Sequence, residues 1–190
     1  MDTVDRKGLQ LTETSLTNRS PSLLFESSGA RALLVGSGTH RADALISSVP
    51  TAVPTVTRLG TCLTEHTGLT KDRLRLLIDP KDPSQLITAV NHMSSEASTV
   101  MLFCYVGHGL IGPDRRLYLA TQATTDLSKG APEYQALPFS AIQHALTQSN
   151  AELVVVMLDC CFAGRANPLG SPPRAELLDT PWPGAYLLRF

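Results

Sequence analysis

From Arg31 onward, short continuous apolar runs alternate with segments in which apolar residues recur every three or four positions. Ala32-Leu33-Leu34-Val35 closes on Gly36-Ser37-Gly38 and predicts a buried strand meeting a turn. Val56, Leu59, Leu63 and His66 follow at helical spacing, with Gly68 as the stop. Leu74 to Ile78 predicts a second short strand. Asp82-Pro83 sets an N-cap acid before a proline at the first helical position, and Leu86, Ile87, Val90 and Met93 line one face behind it. Val100 to Val106 is apolar throughout, as a strand covered on both faces should be. A hairpin is predicted around Gly112-Pro113-Asp114, feeding Leu117-Tyr118-Leu119. Phe139, Ile142 and Leu146 mark a third helix, and Leu153 to Leu158 a second fully apolar strand. Gly184 to Phe190 reads as the opening of one more.

Strands and helices in this alternation predict an α/β domain, a mostly parallel sheet flanked by helices. The domain is expected to occupy residues 30–190. Before it, residues 1–29 carry nine Ser or Thr and few apolar residues, densest at Leu23-Leu24-Phe25. They read as a flexible leader, with a pro-segment or docking peptide as the alternative. Residues 165–183 are rich in Pro and Gly and read as loop.

Composition narrows the function classes. The 190 residues are 43% hydrophobic, enough to bury a core, and only 5% aromatic, so that core is built from Leu, Val, Ile and Ala. Sixteen basic against seventeen acidic residues leave a net charge of −1. That balance excludes a general electrostatic grip on nucleic acid or an anionic membrane. No apolar run reaches the roughly 18 residues of a spanning helix, and the N-terminus lacks the basic start and apolar centre of a signal peptide. A cytoplasmic location follows, with the four cysteines as reduced thiols.

Reactive groups in parallel α/β sheets collect beyond the carboxyl ends of the strands. Here one apolar strand runs into Gly107-His108-Gly109 and another into Asp159-Cys160-Cys161-Phe162-Ala163-Gly164. If the two strands are neighbours, a thiol and an imidazole base arrive at one sheet edge together, as nucleophilic catalysis requires. The alternative for each residue alone is a small buried cysteine and a satisfied polar histidine. The glycines beside His108 admit close backbone approach and offer an N–H to an oxyanion.

Tyr105-Val106-Gly107-His108-Gly109 resembles the histidine motif of caspase-like peptidases, and Asp159-Cys160-Cys161-Phe162-Ala163-Gly164 resembles the metacaspase motif Asp-x-Cys-x-x-Gly. The 53 residues from His108 to Cys161 fit the separation of about 50 in caspases. The resemblance covers residues 32–164 and is closest to bacterial caspase-like proteins of the conflict and signalling type. It implies a caspase-like, flavodoxin-like three-layer sandwich and a cysteine endopeptidase of the Cys–His type that needs no cofactor. Cys161 would be the nucleophile, His108 its base and later acid, and the N–H groups of Gly109 and Cys161 the oxyanion hole. The Asp-x-Cys-x-x-Gly register selects Cys161 over Cys160. Asp159, two residues before Cys161 and so on the same side of an extended segment, is the substrate-binding acid expected to select Arg or Lys before the scissile bond. The alternative for Asp159 is a structural carboxylate bonded to loop amides.

The sequence also departs from that family. Pro54-Thr55 stand where metacaspases usually carry a second pocket acid, with Arg58 downstream, and Val106 stands where a serine is common. Asp114, Asp126 and Glu133 are isolated, so no calcium or other metal site is assigned. Only 29 residues follow Cys161, too few for the two strands and helix that usually complete the groove. The C-terminal part is therefore expected to be incomplete: either the chain is a processed or truncated fragment, or a partner segment or self-association supplies the rest, with Arg165 and Arg174 as candidate self-processing sites. The expected partner is a peptide or protein substrate, with no nucleic acid and no membrane. A catalytically silent caspase-like module for interaction or signalling is the alternative function. Gly36-Ser37-Gly38 is a weaker nucleotide-binding pattern, since Arg41 replaces its third glycine.

Overall fold

The computed structural model describes residues 25–162, with the backbone of 176–177 and 185–189. In chain order the elements are β1 (Arg31–Gly36), α1 (Ala52–His66), a 3-10 turn (Lys71–Arg73), β2 (Leu74–Ile78), α2 (Pro83–Glu96), β3 (Val100–Val106), β4 (Gly109–Ile111) and β5 (Leu117–Ala120). A second 3-10 turn (Pro132–Tyr134), β6 (Ala136–Pro138), α3 (Phe139–Thr147), β7 (Leu153–Asp159), β8 (Glu176–Leu177) and β9 (Ala185–Arg189) follow.

The main sheet has the order β2-β1-β3-β7-β9-β8. Its first five strands are parallel and β8 is antiparallel. The sheet is thus mostly parallel, as its apolar runs predict. Leu33 and Val35 of β1, Phe103 and Tyr105 of β3, and Val156 and Leu158 of β7 face α2 and α3. Leu34, Leu102, Cys104 and Val106 form a second cluster with Val56 and Leu63 of α1. All seven residues of β3 are buried, which accounts for the unbroken apolar run. β7 differs: only alternate positions are buried, and Val155 and Met157 pack half-exposed on the α1 side.

Local signals set several boundaries. Asp82 Oδ1 accepts the Gln85 N–H at 2.8 Å, and Gln85 Oε1 accepts the Lys81 N–H at 2.7 Å. This reciprocal capping, with Pro83 behind it, starts α2 where the sequence predicts. The chain leaves α1 through Gly68 at φ 73°, a left-handed conformation that glycine adopts without steric cost.

Three features were not read from the sequence. β6 adds a third strand to the predicted hairpin, giving an antiparallel sheet β4-β5-β6. At three residues ending on Pro138, it is too short for a periodic signal. Residues 25–29, assigned to the leader, form a turn packed on the domain: Phe25 joins the α1-side cluster. The buried Arg73 guanidinium donates to the carbonyls of Phe25 (3.1 Å), Ser27 and Gly68 (3.0 Å), and to Thr70 Oγ1 (2.8 Å). Finally, β8 pairs with β9, the strand read over Gly184 to Phe190, so two strands do come from the 29 residues that follow Cys161. The rest of the leader and the loop with Arg165 and Arg174 lie outside the described residues.

Candidate active site

The carboxyl ends of β1, β3 and β7 lie side by side. Gly36 pairs with Val106, and Val106 with Asp159. The strand order reverses between β1 and β3, the switch point where ligands bind in open α/β sheets. His108 stands two residues beyond Val106 and Cys161 two beyond Asp159, so both leave neighbouring strands from the same level. Gly107 N–H donates to the Asp159 carbonyl at 3.2 Å and ties the two loops together.

Both glycines beside His108 serve close approach. A Cβ at Gly109 would run into the Cys161 carbonyl oxygen and stand 2.9 Å from Cys160 Sγ. A Cβ at Gly107 would stand 2.8 Å from the Ser37 carbonyl oxygen and 2.8 Å from Tyr105 Oη. Ala120 N–H donates to the His108 carbonyl and Gly112 N–H to the Arg116 carbonyl, so the hydrogen-bonded pairs of the β4–β5 ladder fall on even positions. Gly109, opposite Leu119 between them, therefore turns its N–H away from β5.

His108 is half-buried, and its Nε2 lies 2.7 Å from the Ser47 carbonyl oxygen. A carbonyl only accepts, so Nε2 carries the hydrogen and Nδ1 of the neutral ring is the bare, basic nitrogen. Among the described residues no hydrogen bond joins the His108 ring to Cys161. Tyr105, fully buried beneath the loop, points its hydroxyl at the carbonyls of His108 (3.0 Å) and Ala120 (2.9 Å). Burial holds that hydroxyl well above the usual tyrosine range, so it stays a donor.

Ser47 belongs to the loop after β1, which folds back over the sheet edge. Asp79, at the end of β2, accepts the N–H groups of Gly38 (2.7 Å) and Thr39 (3.0 Å). Val49 N–H donates to the Gly38 carbonyl and Leu45 N–H to the Thr125 carbonyl. His40 on the same loop directs Nδ1 to the Thr121 carbonyl at 3.1 Å, and its ring centroid lies 5.5 Å from that of His108. Burial, with a smaller contribution from His108, lowers the His40 pKa below its ordinary value.

The two adjacent cysteines are unlike. Cys161 is exposed. Cys160 packs partly buried against the α2–α3 core, and burial pushes its thiol up to about 12. At neutral pH Cys160 is therefore held as the protonated thiol. Asp159 is exposed like Cys161, and its carboxylate has no hydrogen bond or ion pair among the described residues. Phe162 follows at φ 59° and is 55% exposed.

Every site residue that the sequence singles out (His108, Gly109, Asp159 and Cys161) stands at this one edge. Sequence reasoning missed Tyr105, Asp79, Ser47 and His40. Ser47 acts through its main chain, so its side chain carries no signal. The Gly36-Ser37-Gly38 turn does not suit a phosphate, because the Asp79 carboxylate already holds the Gly38 N–H. Asp114 is paired with Arg116 and accepts from Tyr118 Oη, and Asp126 is paired with Lys129. Among the described residues no group of three His, Cys, Asp or Glu side chains is placed to hold a metal ion, and no helix is long and apolar enough to cross a membrane. Compared with models of known protein families and with curated proteins, the chain gives no match.

Proposed function

We propose that this chain is a caspase-like cysteine endopeptidase that cleaves after Arg or Lys. The observation that carries the reading is the β3–β7 register, which starts the His108 and Cys161 loops from one level at the switch point. The order β2-β1-β3-β7-β9 agrees with a doubly wound, flavodoxin-like sheet and supports the caspase-like fold. The Ser47 carbonyl, holding the hydrogen on Nε2, supports His108 Nδ1 as the base.

In this mechanism Nδ1 takes the Cys161 proton, and the thiolate attacks the scissile carbonyl carbon. The oxyanion that forms is met by the N–H groups of Gly109 and Cys161. Its collapse breaks the C–N bond, and His108 returns the proton to the leaving amine. Water, activated by the same ring, then hydrolyses the thioester. The exposed thiol of Cys161 and the buried, protonated thiol of Cys160 favour Cys161 as nucleophile. The Asp159 carboxylate near it, without a partner among the described residues, suits a cationic side chain before the scissile bond.

The test is cleavage of fluorogenic peptides ending in Arg, Lys or Asp. Arg peptides should be cut, Cys161→Ala should abolish the signal, and Asp159→Asn should lower kcat/KM for Arg peptides at least tenfold. Cutting of Asp peptides alone would overturn the specificity. Absence of cleavage under every condition, in this chain and in a longer one, would leave the catalytically silent interaction module.

A further inference from the structure

The two imidazoles at the sheet edge hold opposite tautomers, each set by a backbone carbonyl. The Ser47 carbonyl takes the hydrogen on His108 Nε2, and the Thr121 carbonyl takes the hydrogen on His40 Nδ1. Each ring is left with one bare nitrogen, Nδ1 of His108 and Nε2 of His40. The bare Nε2 of His40 is buried and has no hydrogen-bond partner among the described residues. A buried acceptor without a donor is unfavourable, and it persists only where something else supplies a donor or a use.

The ring beside it is His108, 5.5 Å away between centroids and tilted by 41°. Two imidazoles joined by a single N–H···N bond stand about 5 Å apart, close to the separation of these rings. We propose that His40 is a positioning residue for His108, its Nε2 accepting the Nδ1–H of His108 whenever His108 carries the additional proton.

The catalytic meaning of this pairing rests on the reading of His108 as the base for Cys161. The proton leaves Cys161 Sγ, the electron pair stays on sulfur, and the proton bonds to His108 Nδ1. Once sulfur is joined to the substrate carbon it is a poor acceptor. His40 Nε2 then holds the Nδ1–H until the leaving amine removes it, and His40 gains no net proton. The charged groups facing His40 are His108 and the Asp79 carboxylate, and Asp159 stands at the same edge as His108. Burial lowers the His40 pKa and so favours its neutral, accepting form.

The experiment is a histidine NMR titration of the full chain labelled with ¹⁵N, and it needs no peptide turnover. In the unaltered chain the His40 Nε2 resonance should move with the His108 midpoint, and a His40 signal flat through that midpoint would overturn the proposal. In His40→Phe, which keeps a ring but no acceptor, the His108 midpoint should fall by about half a pH unit. An unchanged or raised midpoint, the outcome of plain packing or of like-charge repulsion, would overturn it as well. A chain that shares the proton but cuts no peptide would sink the peptidase reading and leave the histidine pair standing.

Discussion

Tyr105→Phe removes one oxygen from beneath His108 and nothing else. The hydroxyl is fully buried and faces two carbonyls, those of His108 at 3.0 Å and Ala120 at 2.9 Å. Neither carbonyl is orphaned by its loss. His108 O still accepts the Ala120 N–H at 3.0 Å, and Ala120 O still accepts Ser37 Oγ at 3.0 Å. The cost therefore belongs at the net value of a hydrogen bond, about 1 kcal/mol, and not at the larger cost of stranding a buried acceptor. For a chain of this size that is a fall in Tm of about 3 °C, measured by calorimetry or circular dichroism. The same substitution loosens the main chain that carries His108, so on the proposed peptidase reading kcat on Arg peptides should fall severalfold with KM nearly unchanged. Loss of more than about 3 kcal/mol would show that the carbonyls depend on Tyr105 alone. An unchanged Tm would show that the hydroxyl bonds neither carbonyl, and either result refutes the reasoning.

Two further perturbations follow from burial. In Cys161→Ala, native-state alkylation of Cys160 should be slow at pH 7 and rise about tenfold per pH unit toward its titration near 12, whereas Cys160→Ala should leave a readily labelled thiol at Cys161; peptide mapping by mass spectrometry reads both, and equal rates would contradict the assigned burial. Arg73→Met strips a buried cation from the carbonyls of Phe25, Ser27 and Gly68, and should cost about 2–3 kcal/mol in denaturant unfolding, with new proteolytic cleavage at residues 25–29; a native-like midpoint would show that the turn is held by Phe25 packing alone.

What the sequence revealed, and what it hid, divides by the range of the interaction responsible. α2 begins where predicted because its signal is complete within four residues: Asp82 caps the Gln85 N–H and Pro83 needs no partner. β3 matches its apolar run because burial on both faces forces that composition. β6 was hidden because three residues carry no period, and its pairing with β5 across an intervening loop defines it. The turn at residues 25–29 was hidden because Arg73, 46 residues away from Ser27, holds it in place. A basic residue in a polar stretch looks like any solvated one until its carbonyl acceptors are known.

The candidate site shows the same division more sharply. His108 and Cys161 were legible because each follows an apolar strand and adjoins glycine, but their juxtaposition depends on β3 and β7 being neighbours in register, which neither segment encodes alone. The groups that orient the His108 imidazole were illegible for a different reason. Ser47 and Thr121 act through carbonyl oxygens, 61 and 81 residues from the imidazoles they orient, and every residue type has a carbonyl. Their tautomer assignments follow from the path of the loop after β1, which Asp79 anchors by two backbone N–H groups. A substitution at Asp79 should therefore disturb His108 without touching it, by releasing the loop that presents Ser47. The chemistry of this edge is thus decided as much by where main chain is pinned as by which side chains stand there.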